Sequence, residues 1–121
     1  MKLLNVTVGA GIISIAISNY ALAFDGMQLR QACDSNRNTA GGVSCIAFVR
    51  GISEGLQMGL ALSHKLQEHV IYCPPTNGVS AEQVRLIVGK YLRDHPQKLN
   101  QSAGFLVGDA LLAAFPCKTS N

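Results

Sequence analysis

The chain has 121 residues, 48% of them hydrophobic, and its ten Lys and Arg against seven Asp and Glu give a net charge of +3. That charge is too small and too scattered for a nucleic-acid footprint, and the length suits one domain with a modest core rather than two. Four cysteines in so short a chain point to a disulfide framework if the chain is exported.

Export is what the first 23 residues predict. Lys2 supplies a short positive start, residues 3–17 form an uncharged and mostly apolar run, and Ala21-Leu22-Ala23 offers the small residues of a cleavage site. The pattern reads as a secretory signal peptide cleaved after Ala23, leaving residues 24–121 as a single domain. Asn5, Thr7, Ser14, Ser18 and Asn19 argue against the alternative, an uncleaved membrane anchor, so the mature chain is expected to have no membrane attachment.

In the mature part, Asp25 and Gln28 form an aspartate version of a capping box and open a short helix through Gln31, Ala32 and Cys33. Residues 34–42 have no apolar period and read as a loop. From Cys45 the positions Phe48, Val49, Ile52, Leu56, Leu60, Leu66 and Val70 recur at helical spacing, which predicts a long second helix to about Val70. Tyr72-Cys73-Pro74-Pro75-Thr76-Asn77-Gly78 cannot continue it, because two prolines remove donors and Asn-Gly favours a turn.

The third helix starts at a capping box of Ser80 and Gln83, flanked by Val79 and Val84 as a hydrophobic staple. Its stripe is Val84, Ile87, Val88, Tyr91 and Leu92, and Asp94-His95-Pro96 ends it. After a linker to Asn100, the residues Ala103, Leu106, Val107, Ala110, Leu111, Ala114 and Phe115 trace a fourth amphipathic helix that Pro116 stops. No strand candidate remains, so the fold class is all-α: a small bundle of four to five helices, stapled by disulfides.

Four cysteines permit three pairings. An antiparallel arrangement favours Cys33–Cys45 across a short helical hairpin and Cys73–Cys117 between the start of helix three and the end of helix four, each bridge contributing about 2–4 kcal/mol. Gly51, Gly55 and Gly59 recur on one face of helix two at about 1 kcal/mol each relative to alanine. Close packing against another helix of the same monomer, or a dimer face, offsets such a penalty. Arg50 and Glu54 exclude a membrane helix pair.

Catalytic motifs are sparse. His64 and His69 are spaced so that they turn away from a common helical face, which argues against zinc ligation together with Cys73. His95 reads as a capping or surface residue, the serines lack a nucleophile-elbow context, and no phosphate-binding glycine loop appears. The chain is therefore expected to have no catalytic residues, no metal and no cofactor.

One set of motifs is informative as a series: Asp25-Gly26, Cys45 followed by Phe48-Val49-Arg50-Gly51, Tyr72-Cys73-Pro74-Pro75, Val84 through Tyr91-Leu92, His95-Pro96, and Ala103 through Phe115-Pro116-Cys117. In order and spacing the series resembles the Rap/Tai family of immunity proteins associated with bacterial type VI secretion, over nearly all of the mature chain. Phe48 stands where such proteins often have tyrosine, and Asn100 where a histidine is common. The resemblance implies a small helical periplasmic protein, often a homodimer, that binds a peptidoglycan-cleaving amidase toxin and occludes its active site.

An inhibitor of that kind needs polar segments that fit a cleft. Candidates are Ser63, His64, Lys65, Gln67, Glu68 and His69 with the turn at Pro75, Thr76 and Asn77, and secondly the loop at residues 34–39. A different reading, from export and low charge alone, is a periplasmic stress or chaperone-like helical protein without a toxin partner.

Overall fold

The computed structural model describes residues 24–66 and 71–118, apart from the side chains of residues 64–66. The expected signal peptide with its cleavage site after Ala23, and Gln67, Glu68 and His69, lie outside the described residues. Four α-helices follow one another: α1 (Gly26–Asp34), α2 (Ala40–Leu66), α3 (Ala81–Asp94) and α4 (Ala103–Ala114), with a 3-10 turn at Pro96–Lys98. The described residues form no strand beyond two isolated bridges, Asp25 with Ser102 and Tyr72 with Pro116.

The caps set the ends. The Asp25 carboxylate accepts from the Gln28 amide (2.9 Å) while the Gln28 side chain accepts from the Asp25 amide (3.2 Å), a complete capping box. At α3 the Ser80 hydroxyl accepts from the Gln83 amide at 3.1 Å, which is the Ser80 half of its box. Val79 packs half-buried on the core and Val84 is buried, as a hydrophobic staple requires. His95 closes α3: its Nδ1 lies 2.8 Å from the Tyr91 carbonyl and its ring stacks on Tyr91 at 4.1 Å, after which Pro96 starts the 3-10 turn.

Helix α2 begins earlier than its apolar period predicts. Ala40, Gly41 and Gly42 are helical rather than part of the loop, because the first turn folds back onto residues 35–37. A Cβ at Gly42 would overlap the Asn36 carbonyl and lie 2.6 Å from the Arg37 Cα, and one at Gly41 would lie 2.9 Å from the Ser35 hydroxyl. The glycine pair that suggested a loop is what lets the helix start there. Thr39 supports the turn, accepting from the Gly42 amide at 3.3 Å and donating to the Asn36 carbonyl at 2.6 Å.

All four helices meet in one core, with α2 packed against each of the other three. Leu29 from α1, Cys45 and Val49 from α2, Val84, Val88 and Leu92 from α3, and Leu106, Val107 and Leu111 from α4 are buried together. These are the positions that helical spacing marks in α2, α3 and α4. The start of α1 also clamps the connection between α3 and α4, since Gly26 donates to the Gln101 carbonyl and Met27 to the Leu99 carbonyl, both at 3.0 Å. Disulfides join Cys33 to Cys45 and Cys73 to Cys117, the pairs that an antiparallel arrangement favours.

Candidate functional site

From Ile71 onward the connection between α2 and α3 borders an open groove. Tyr72 anchors it: the ring is 4% exposed and meets Phe115 edge-on at 6.3 Å. Cys73 follows, its amide donating to the Phe115 carbonyl at 2.9 Å and its sulfur bonded to Cys117. Pro74 and Pro75 then lead into a turn closed by the Gly78 amide on the Pro75 carbonyl (2.9 Å), with Gly78 at φ 81°. That φ is unstrained only for glycine, so Asn77-Gly78 forms the turn its sequence indicates.

This construction lifts Pro75, Thr76 and Asn77 into solvent. Pro75 and Thr76 line one side of an open groove of about 760 Å³, opposite Gln57, Leu60 and Ala61 of α2 and with Cys73 and Cys117 in its wall. Ser63 is half-buried in a smaller, neighbouring depression with Ile71, Tyr72 and Leu112. Of the first candidate segment the structure thus brings Ser63, Pro75 and Thr76 to one side of the molecule. The side chains of His64 and Lys65, like Gln67, Glu68 and His69, lie outside the description.

The second candidate segment, residues 34–39, precedes α2 at its other end. Much of its polar capacity is used internally: Asp34 pairs with Arg93 at 3.3 Å and with Arg30 at 3.6 Å, Asn36 accepts from the Asn38 amide at 3.0 Å, and Ser35 donates to the Gln31 carbonyl at 2.8 Å. Its role as an ordered connection is accounted for by these bonds alone.

Gly51, Gly55 and Gly59 are exposed, and a Cβ placed on any of them would meet nothing within 4 Å among the described residues, so no helix among those residues packs closely against them. The core contacts of α2 run through Cys45, Val49 and Ser53, while Gly55 and Gly59 border the depression that holds Ser63. The solvent face instead carries the glycines among Val43, Met58 and Leu62, which are 55%, 69% and 54% exposed. By length and composition the stretch Ala40–Ser63 could cross a membrane, yet an Arg50–Glu54 ion pair of 2.7 Å sits on that same helix.

Several polar features were not legible in the sequence. The Tyr72 hydroxyl is buried without a hydrogen-bond partner among the described residues; burial pushes its pKa up, and nearby Ser53, itself buried, offsets part of that shift. Arg85 donates to the Cys33 carbonyl at 3.1 Å and to the Glu82 carboxylate at 2.6 Å, and that hydrogen bond holds the Glu82 pKa low. Lys98 donates to the Tyr91 hydroxyl at 2.9 Å and pairs with Asp109 at 3.5 Å, and the tyrosine contact, foremost, raises the lysine pKa. Periodicity marks Tyr91 as a core residue but cannot show its polar end.

These polar groups tie elements together and do not converge on a reaction centre. Among the described residues no group of three or more His, Cys, Asp or Glu side chains is placed to hold a metal ion. The two disulfides fit an oxidising compartment.

No curated protein and no solved structure matches the chain. A family model described as Rap1a immunity proteins matches residues 25–117, from the Asp25 cap of α1 to the Cys117 end of the second disulfide. A family of this kind is generally non-enzymatic, and membership implies a cognate toxin as partner. The chain belongs to the Rap1a immunity protein family.

Proposed function

We propose that this chain is a periplasmic immunity protein that binds a peptidoglycan-cleaving amidase toxin delivered by type VI secretion and occludes its active site. The family match over residues 25–117 carries the reading. The leader pattern with cleavage after Ala23 and the two disulfides support export. Contact with the toxin is assigned to Ser63, His64, Lys65, Gln67, Glu68 and His69 together with the turn at Pro75, Thr76 and Asn77. The turn is suited to insertion because its base is fixed by Tyr72 and the Cys73–Cys117 bridge while its tip is exposed. A preorganised loop loses little conformational entropy on binding.

The active form in this proposal is a homodimer joined through the exposed face of α2. Glycines at that spacing let two helix backbones approach, and Val43, Met58 and Leu62 supply apolar area around them. Co-expression with a secreted amidase encoded beside the gene tests the function: the two co-purify and the exported chain protects the producing cell. Separate elution of the two, with no protection, rejects it.

A further inference from the structure

The two disulfides sit in opposite surroundings. Cys33 and Cys45 are 3% and 0% exposed and belong to the core, so a reagent meets them only when the helices part. Cys73 is exposed, Cys117 is half-buried, and both stand in the wall of the open groove beside Leu60, Ala61, Pro74 and Pro75. A thiolate can reach this second bridge with the fold intact, and access is one of the factors that set the rate of thiol–disulfide exchange.

The consequences of cutting each bridge differ as well. Cys33–Cys45 stitches α1 to α2 inside the core. Cys73–Cys117 ties the α2–α3 connection to the end of α4, at the margin of the helices. Beside it run the Cys73 amide to Phe115 carbonyl bond and the Tyr72–Phe115 edge contact. The packing of Leu29, Leu92, Leu106 and Leu111 does not pass through that bridge.

We propose that Cys73–Cys117 is a thiol–disulfide exchange site for a dithiol, and that its reduction loosens residues 71–80 and 115–118 while the four-helix core stays folded. One thiolate of the dithiol attacks a sulfur of the bridge; the S–S bond breaks and the other cysteine leaves as a thiolate. The dithiol's second thiolate then attacks the mixed disulfide and releases the chain. The dithiol loses two electrons and two protons and becomes a disulfide, while Cys73 and Cys117 gain both and become thiols. Because Pro75, Thr76 and Asn77 lie within the loosened segment, exchange there controls the toxin-contacting turn, a consequence that rests on the immunity reading. The exchange itself is independent of it.

The test uses the full exported chain with both bridges formed, and no toxin, so its outcome is separate from that of the immunity reading. The protein is treated with graded dithiothreitol, trapped by alkylation and mapped by mass spectrometry, with hydrogen exchange followed in parallel. Cys73 and Cys117 are expected to be alkylated about tenfold faster or more than Cys33 and Cys45, since opening the core is a rarer event than local access. Protection falls over residues 71–80 and 115–118 and persists in α1 and α4. The double variant Cys73→Ser, Cys117→Ser keeps its helical circular dichroism. Equal reduction of the two bridges, preferential loss of Cys33–Cys45, or failure of the double variant to fold overturns the proposal.

Discussion

Replacing Tyr72 by phenylalanine is expected to stabilise the protein. The ring is 4% exposed and keeps its edge contact with Phe115 whether or not the hydroxyl is present. Among the described residues the hydroxyl oxygen is buried without a hydrogen-bond partner, and a hydroxyl in that position costs about 1–3 kcal/mol of desolvation. Ser53 lies close enough to offset part of this, which places the expected gain at about 1 kcal/mol, or about 4–8 °C in Tm for a domain of this size. Urea unfolding of wild type and Tyr72→Phe, both with their disulfides formed and monitored by circular dichroism, measures it. A loss of about 1 kcal/mol or more in the variant would refute the reasoning, since it would mean that the hydroxyl makes a bond worth keeping.

Burial raises the Tyr72 pKa above its ordinary value of 10.0, so its contribution to stability is fully present below pH 10 and declines as pH rises toward the folded-state value. Alkaline titration of stability is expected to fall more steeply in wild type than in Tyr72→Phe above that pH. Gly42→Ala forces a Cβ onto the Asn36 and Arg37 backbone and is expected to destabilise the fold, which the denaturant midpoint reports. Leu111→Ala, at a position with no exposure on α4, is expected to cost about 2–5 kcal/mol in the same measurement.

The parts of this fold that were legible in the sequence are those governed by near neighbours. Ser80 accepting from Gln83, Asp25 exchanging bonds with Gln28, and His95-Pro96 ending α3 all operate within four residues, so a linear pattern contains them. The stripes of α3 and α4 are legible for the same reason, because burial on one helical face imposes its period on the sequence. Gly41 and Gly42 match a loop by composition, while the close approach of residues 35–37 that requires them is a feature of the folded chain. The glycines at 51, 55 and 59 show a related limit. A pattern of small residues says that something can come close, and only the structure shows that nothing among the described residues does. The candidate site was legible as a turn but not as a groove, since its walls come from α2, the α2–α3 connection and Cys117, which are far apart in the chain.

The proposed activity is neutralisation of a cell-wall amidase by binding. Titrating the exported chain into the neighbouring amidase while following release of peptide from purified peptidoglycan tests it most directly. Activity is expected to fall to zero at a fixed stoichiometry with nanomolar affinity, and charge-reversing or bulky substitutions at Thr76 and Asn77 are expected to weaken inhibition without unfolding the chain. An amidase that stays fully active in the presence of excess folded, disulfide-bonded protein contradicts it.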